Sequence, residues 1–598
     1  MNFHPNDVVR RARVTVYFGA AIMLVLSVAF FRAQIMRHRQ WVLQSEGNRL
    51  REVPVAAPRG TIYDRNGKII AENVVGYAVS VLAQSEDSLR STLARVGAKV
   101  PLSPTQWDLA VRRFRRAPNR PTMIFSDASF SVVSVLEEHR VDFPSLIIQS
   151  GPKRHYPNGP AVVSFVGYTG EVTESELTEP RYGQYRAGQI VGKLGLEKEY
   201  ESVLHGREGS RFVEVDARGR VVREEGAQER KALQGDSLLT NIDLDLQVFT
   251  AKLFGDSLVG GAFAMDPSTG AVLALYSAPS YDPNEFIGGV SFAYYDSLRT
   301  NPKRPLHNKA LQGIYPPGST WKLATAILAL QEEVITVDSH MPQQCTGFYY
   351  FGDRAWACWE KAGHGNLSLT GAIAKSCNVY FYQLGLKLGL SRLVAGGVQL
   401  GFSRKTDIDL PEETRSRFPE RMQYFDDRYG ARGWTSGAHA LNMAIGQGDN
   451  AQTIVNMARF YSALATDGSA ARPEIVRRRP ERTKIMNLTA GQLSDLRIAM
   501  AGVTAVGGTA ASAALSGVTL AGKTGTAQTA ALVPGKKGCD DAWFVGFAPV
   551  ENPKIVVSVV LECGEHGYLA ARLAAEMIGK YLGVKPISRI LTEGNNND

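Results

Sequence analysis

Three short stretches carry residues that could do chemistry. Tyr315-Pro-Pro-Gly-Ser-Thr-Trp-Lys322 opens an unbroken run of helix formers that ends at Leu330, and its rigid Pro-Pro-Gly approach predicts a helix opening at Ser319. Ser319 and Lys322 are then neighbours on one helix face. Trp321, Leu323, Ala324, Ile327, Leu328 and Leu330 surround that face with apolar side chains, drawing the lysine into a core where an idle charge is costly. A hydroxyl beside a buried amine is the pattern of an activated nucleophile. A capping serine with a snorkelling lysine accounts for the same residues. What favours chemistry is the presence of two distant stretches, Ser376-Cys377-Asn378 and Lys523-Thr524-Gly525-Thr526.

Acyl transfer needs a nucleophile, a base and donors for the developing oxyanion. A lysine at its usual pKa of about 10.4 is protonated and cannot accept the serine proton. Burial and a second cation, Lys523, would both bring Lys322 down to a usable base. Ser376 can relay a proton toward a leaving amine. Asn378 can hold the bases and donate to a substrate amide. Lys523 and Thr524, expected at the end of a strand, can bind a peptide carboxylate together with Thr526, and Gly525 would let a substrate backbone approach closely. The backbone N–H groups of Ser319 and Thr526 are the expected oxyanion hole.

Several elements must position these residues. Gly261 to Leu275 reads as two strands around a Pro-Ser-Thr-Gly turn, and 518–521, 542–547 and 555–561 read as successive strands. Residues 569–582 read as a closing amphipathic helix. Strands at both ends with helices between them predict one sheet covered by helices. Upstream, Asn66-Gly67 between strand-like runs predicts a hairpin, and residues 85–150 are polar and arginine-rich without assignable chemistry. Arg112, Arg113, Arg115 and Arg116 read as a solvated helix face or a contact with lipid head groups. The polar stretch Gly226 to Gly235 reads as a linker.

The chain has 598 residues, enough for two or three domains, and a 44% hydrophobic, 21% charged composition typical of globular proteins. Lys and Arg number 67 against 58 acidic residues, a modest excess with no compact basic block, which argues against nucleic-acid binding. Val14 to Phe31 carries no charge and is long enough to span a membrane. Arg10, Arg11 and Arg13 before it favour a cytoplasmic N-terminus, although Arg32, Arg37 and Arg39 after it blur the asymmetry. No small-x-small cleavage site follows, so an uncleaved anchor is expected. The organisation is therefore a tail over 1–13, an anchor over 14–36, an elongated α+β pedestal over 40–235 and an α/β catalytic domain over 236–590.

Together, the three stretches resemble the Ser-x-x-Lys, Ser-x-Asn and Lys-Thr-Gly set of penicillin-binding proteins and serine β-lactamases. Pro58-Arg-Gly-Thr-Ile-Tyr-Asp-Arg-Asn-Gly67 resembles the motif opening the pedestal of class B penicillin-binding proteins. Gly192-Lys-Leu-Gly-Leu-Glu197, His205-Gly-Arg-Glu-Gly209, Gly219-Arg-Val-Val222, Met265-Asp-Pro-Ser-Thr-Gly270 and Gly446-Gln-Gly448 are similar to the elongation subfamily, penicillin-binding protein 2. The resemblance implies a peptidoglycan D,D-transpeptidase of the inner membrane with a periplasmic catalytic domain. It implies stem peptides as substrates, β-lactams as inhibitors, and a RodA-type glycan polymerase and an MreC-type scaffold as partners. The runner-up is the septal transpeptidase of division. A tethered serine β-lactamase or D,D-carboxypeptidase would need no pedestal, and a β-lactam sensor would need a cytosolic signalling part.

Five cysteines form no disulfide scaffold. The spacing of Cys345, Cys358, His364 and Cys377 is compatible with unrelated buried thiols, a Cys345–Cys358 disulfide or a metal site. Some members of the resembled subfamily hold zinc in this region. By that resemblance the four residues are expected to bind one structural zinc ion, with Asp353 as a substitute ligand. Cys539 and Cys563 flank strands expected to be neighbours, and an oxidising compartment would permit a disulfide between them.

Overall fold

The computed structural model describes residues 5–36, 50–118, 120–215, 221–223, 229–528 and 538–587. Arg37 and Arg39, the start of the Gly219 motif, most of the first half of the linker and the last residues of the catalytic domain lie outside the described residues. An α-helix over Pro5–Phe31 continues into a π-helical turn over Arg32–Met36. Within it, Val9–Met36 is long and apolar enough to cross a membrane, and none of it is buried.

The chain forms two compact units with one boundary at Gln234/Gly235, near the expected division, but two upstream segments group with the larger unit. One comprises Met1–Pro58, Val75–Lys153 and Arg207–Gln234, and the other Arg59–Val74, Arg154–Gly206 and Gly235–Asp598. In the smaller unit, Leu50–Val55 pairs antiparallel with Gly209–Val215. Helices Glu86–Gly97 and Pro104–Arg116 start at Ser85 and Ser103, whose side chains cap them. The core of this unit gathers Val79, Val81, Leu89, Leu93, Phe114, Ile124 and Phe143. Arg112, Arg115 and Arg116 lie exposed on the second helix, which accords with either a solvated face or a contact with lipid head groups.

The larger unit contains the predicted hairpin. Ile62–Tyr63 folds back on Ile69–Ala71, Gly67 takes φ +83°, and the Asp64 carboxylate accepts from the amides of Asn66 and Lys68. The unit also buries an ion network. Arg59 pairs with Glu197 and, at 2.7 Å, with Glu201, while Arg154 reaches Glu197 at 2.6 Å.

Its catalytic sheet has five strands: β1 (Gly260–Met265), β2 (Val272–Ala278), β3 (Ala521–Gln528), β4 (Asp540–Ala548) and β5 (Ile555–Leu561). Their order is β2-β1-β5-β4-β3, antiparallel throughout. Every residue of β1, β2 and β5 is buried, so helices cover both faces. Helices α1 (Lys322–Gln331), α2 (Leu369–Ala374) and α3 (Asn378–Leu388) belong to a helical layer beside the sheet, and helix Leu244–Phe254 packs on it with α4 (Ile454–Ala465), α5 (Ala490–Thr504) and α6 (Gly567–Leu582). Cys539 and Cys563, just outside β4 and β5, are joined in a disulfide with Cα atoms 5.0 Å apart.

Two local readings are corrected. Lys523-Thr-Gly-Thr sits inside β3, not after a strand at 518–521. Its weak intrinsic strand preference is overridden by pairing with Ala542–Val545 of β4. Ser319 does not open the α-helix: Gly318–Trp321 is a 3₁₀ turn, and α1 begins at Lys322.

Candidate active site

The 3₁₀ turn explains how a serine can stay accessible beside a buried lysine. Residues three apart eclipse in this geometry, and Ser319 is partly exposed while Lys322 is fully buried. Gly318, at φ +52°, lets the turn meet β3: a Cβ there would lie 2.7 Å from the Thr526 carbonyl oxygen. Gly525 completes the fit, since a Cβ on it would lie 2.8 Å from the Pro317 carbonyl oxygen. Its missing side chain thus admits the turn that carries Ser319, where the sequence suggested a substrate backbone. Trp321 anchors the turn from behind, packed on Phe402 and Phe418.

Lys322 and the Ser376–Asn378 loop are in direct contact. Lys322 Nζ donates to the Ser376 carbonyl at 2.7 Å, the Ser376 hydroxyl at 3.2 Å and Asn378 Oδ1 at 2.7 Å. Asn378 turns its amide to the Ala357 carbonyl at 3.3 Å. Ser376 joins α2 to α3 at φ +55°, a left-handed conformation costly for a residue with a Cβ.

Lys523 is fully buried and donates to the Thr524 carbonyl at 3.1 Å. Burial lowers the Lys322 ammonium to about 8, with Cys358, Cys377 and Cys345 partly restoring it. Burial and then the charge of Lys322 push Lys523 well down. Burial and mutual repulsion thus both work against carrying charge on this pair of lysines. Lys322 has three acceptors to hold its charge and Lys523 has one. Thr526, by contrast, is exposed at the site.

The four expected metal ligands converge behind this loop. Cys345, Cys358, His364 and Cys377 bring their ligand atoms within 4.8 Å of one another. His364 Nδ1 lies 3.6 Å from Cys345 Sγ and 3.5 Å from Cys358 Sγ. A hydrogen bond from Cys377 draws the Cys358 thiol well down, and Cys377 itself is pushed up. Asp353 stands apart, exposed at the tip of the hairpin formed by Phe348–Phe351 and Arg354–Ala357.

Three side chains escaped the sequence reading. Trp359 donates its indole N–H to the carbonyls of Lys375 and Ser376. Lys375 Nζ reaches the Gly507 carbonyl at 2.8 Å. Thr509 Oγ1 lies 2.7 Å from Thr524 Oγ1. None belongs to a recognisable spacing; the nearest signal was Trp359 standing beside Cys358.

A partly exposed serine, two buried lysines and a Ser-x-Asn loop around one sheet edge define a serine acyltransferase site. The chain belongs to the class B penicillin-binding proteins of the elongation type. Residues 260–581 match the penicillin binding protein transpeptidase domain, and residues 54–240 match the penicillin-binding protein dimerisation domain. The chain is 31% identical to the peptidoglycan D,D-transpeptidase MrdA of Acinetobacter baumannii, over 96% of this chain and 88% of that one. It is 31% identical to the protein of the same name from Escherichia coli K12, over 95% of this chain and 93% of that one. Among solved structures, penicillin-binding protein 2 of Helicobacter pylori in complex with MreC superposes with a TM-score of 0.76 at 28% identity, covering 89% of this chain and 99% of that one.

Proposed function

We propose that this chain is a membrane-anchored peptidoglycan D,D-transpeptidase that cross-links stem peptides during cell elongation. The observation that carries the reading is the contact of Lys322 Nζ with both Ser376 and Asn378, one turn from Ser319. Ser319 Oγ attacks the penultimate D-Ala carbonyl and its proton passes to the unprotonated Lys322 amine. The C–N bond to the terminal D-Ala breaks, Ser376 relays a proton to the departing amine, and D-Ala leaves. An amine of a neighbouring strand then attacks the ester, yields its proton to the same relay and frees Ser319. The amides of Ser319 and Thr526 serve as the oxyanion hole. Lys523, Thr524 and Thr526 receive the substrate carboxylate, whose charge would draw a proton back to Lys523. β-Lactams acylate Ser319 as mimics of the stem peptide. Water in place of the acceptor amine would give a D,D-carboxypeptidase side activity.

The apolar helix at Val9–Met36 serves as a single-pass inner-membrane anchor, its N-terminus cytoplasmic and the catalytic sheet periplasmic. The disulfide at Cys539–Cys563 suits that oxidising compartment. An MreC-type scaffold as partner is supported by the Helicobacter pylori relative, described as a complex with MreC. A RodA-type polymerase as partner is supported by a further relative, from a peptidoglycan synthase complex coordinating polymerization and crosslinking.

A structural zinc ion at Cys345, Cys358, His364 and Cys377 belongs to the same proposal. Three thiols and an imidazole within 4.8 Å are a tetrahedral N/S set, and His364 aims Nδ1 at two of the sulfurs. Zinc held there would tie the loop carrying Ser376 and Asn378 to the hairpin at Phe348–Ala357.

The reading is tested with stem pentapeptide on nascent glycan. Free D-Ala and cross-linked dimers should appear together when the polymerase partner is supplied. Polymer that stays uncross-linked would contradict the assignment.

A further inference from the structure

Ser376 must hold an unfavourable backbone conformation for its hydroxyl to meet Lys322. Such a conformation persists only where the surroundings over-determine it. The carbonyl of Lys375 belongs to the peptide plane before Ser376, whose tilt is set by φ of Ser376. The carbonyl of Ser376 belongs to the plane after it, set by ψ. Trp359 Nε1 lies 3.1 Å from the first oxygen and 3.2 Å from the second. One N–H therefore pins both backbone dihedrals of the strained residue. The second oxygen is also the one that accepts from Lys322 Nζ at 2.7 Å.

The indole is not held there for burial. Trp359 is 54% exposed, and its ring meets His364 edge-on at 5.1 Å between centroids. A large aromatic left half in solvent, with its single donor shared by two successive carbonyls, is placed for that donor.

We propose that Trp359 is a positioning residue for acyl transfer, its indole N–H fixing the Ser376 backbone so that the Ser376 hydroxyl and Lys322 stay in register. The proposal rests on the acyl-transfer reading of the site. Trp359 touches no reacting atom; it acts through Ser376.

The test measures acylation of the full-length protein in detergent by a fluorescent penicillin, separating the dissociation constant of the first complex from the first-order acylation rate. Trp359→Phe keeps the ring and removes the donor. Benzothienyl-alanine incorporated at position 359, with sulfur in place of the N–H, removes the donor alone. Both variants should acylate roughly three- to tenfold more slowly, the scale of one hydrogen bond, with an unchanged dissociation constant and an unchanged melting temperature. Wild-type acylation rates in both would overturn the positioning role, as would a loss confined to the dissociation constant or to folding. A wild-type protein that does not label would overturn the acyl-transfer reading itself, and this role with it.

Discussion

Lys322 Nζ and the Ser376 hydroxyl lie 3.2 Å apart, so the proposed base and the proposed relay touch in the resting site before any substrate arrives. The same nitrogen also holds the Ser376 carbonyl and Asn378, which makes one buried ammonium the hub of two catalytic stretches that lie far apart in sequence.

The hub's charge sets a pH dependence. Burial lowers Lys322 to about 8, and only the unprotonated amine can take the Ser319 proton. Acylation by penicillin should therefore rise as pH climbs through about 8 and level off above it. Lys322→Arg should abolish acylation, because guanidinium does not release its proton in this range. A rate that is flat between about pH 6 and pH 9 would contradict the assignment of Lys322 as base.

Metal content is the next measurable consequence. Protein purified without chelators should carry about one zinc per chain, and His364→Ala or Cys345→Ser should release it. Stripping the metal should lower the melting temperature and slow acylation, because Cys377 lies between Ser376 and Asn378. Less than about half an equivalent by elemental analysis would contradict the zinc reading.

The buried network around Glu197 should matter for stability and not for chemistry. Glu197→Gln leaves Arg59 and Arg154 without their shared carboxylate, a loss of roughly 3–5 kcal/mol seen as a lower melting temperature. For Glu201, burial favours the protonated form, but His205 and then Arg59 hold the carboxyl down to about 2. Its folded pKa lies below its ordinary value of 4.5, so its contribution is present above that value. The contribution is lost as pH falls toward about 2. Unchanged unfolding of Glu197→Gln would contradict this account.

Ser319, Lys322, Ser376, Asn378 and Lys523 stood out in the sequence because three short stretches in this order resemble one known catalytic set, and the fold brings Lys322 against Ser376 and Asn378. Strand limits around Lys523 were not legible, since pairing with β4 overrides a sequence rich in glycine and alanine. The grouping of Arg59–Val74 and Arg154–Gly206 with the larger unit was hidden for a similar reason. Local periodicity does not reveal pairing between residues far apart in sequence. Trp359 escaped because its role depends on two carbonyls that come together only when Ser376 takes φ +55°. The cysteine–histidine set was suggested by the family resemblance and not by its spacing, and its convergence needed the fold.

The central claim is that Ser319 forms the acyl-enzyme. It is tested most directly by labelling membranes or purified protein with a fluorescent penicillin and mapping the adduct by mass spectrometry. The account predicts one adduct, on the peptide containing Ser319, that is absent in Ser319→Ala although the variant melts like the wild type. Persistent labelling of that variant, or an adduct on another residue, would contradict it.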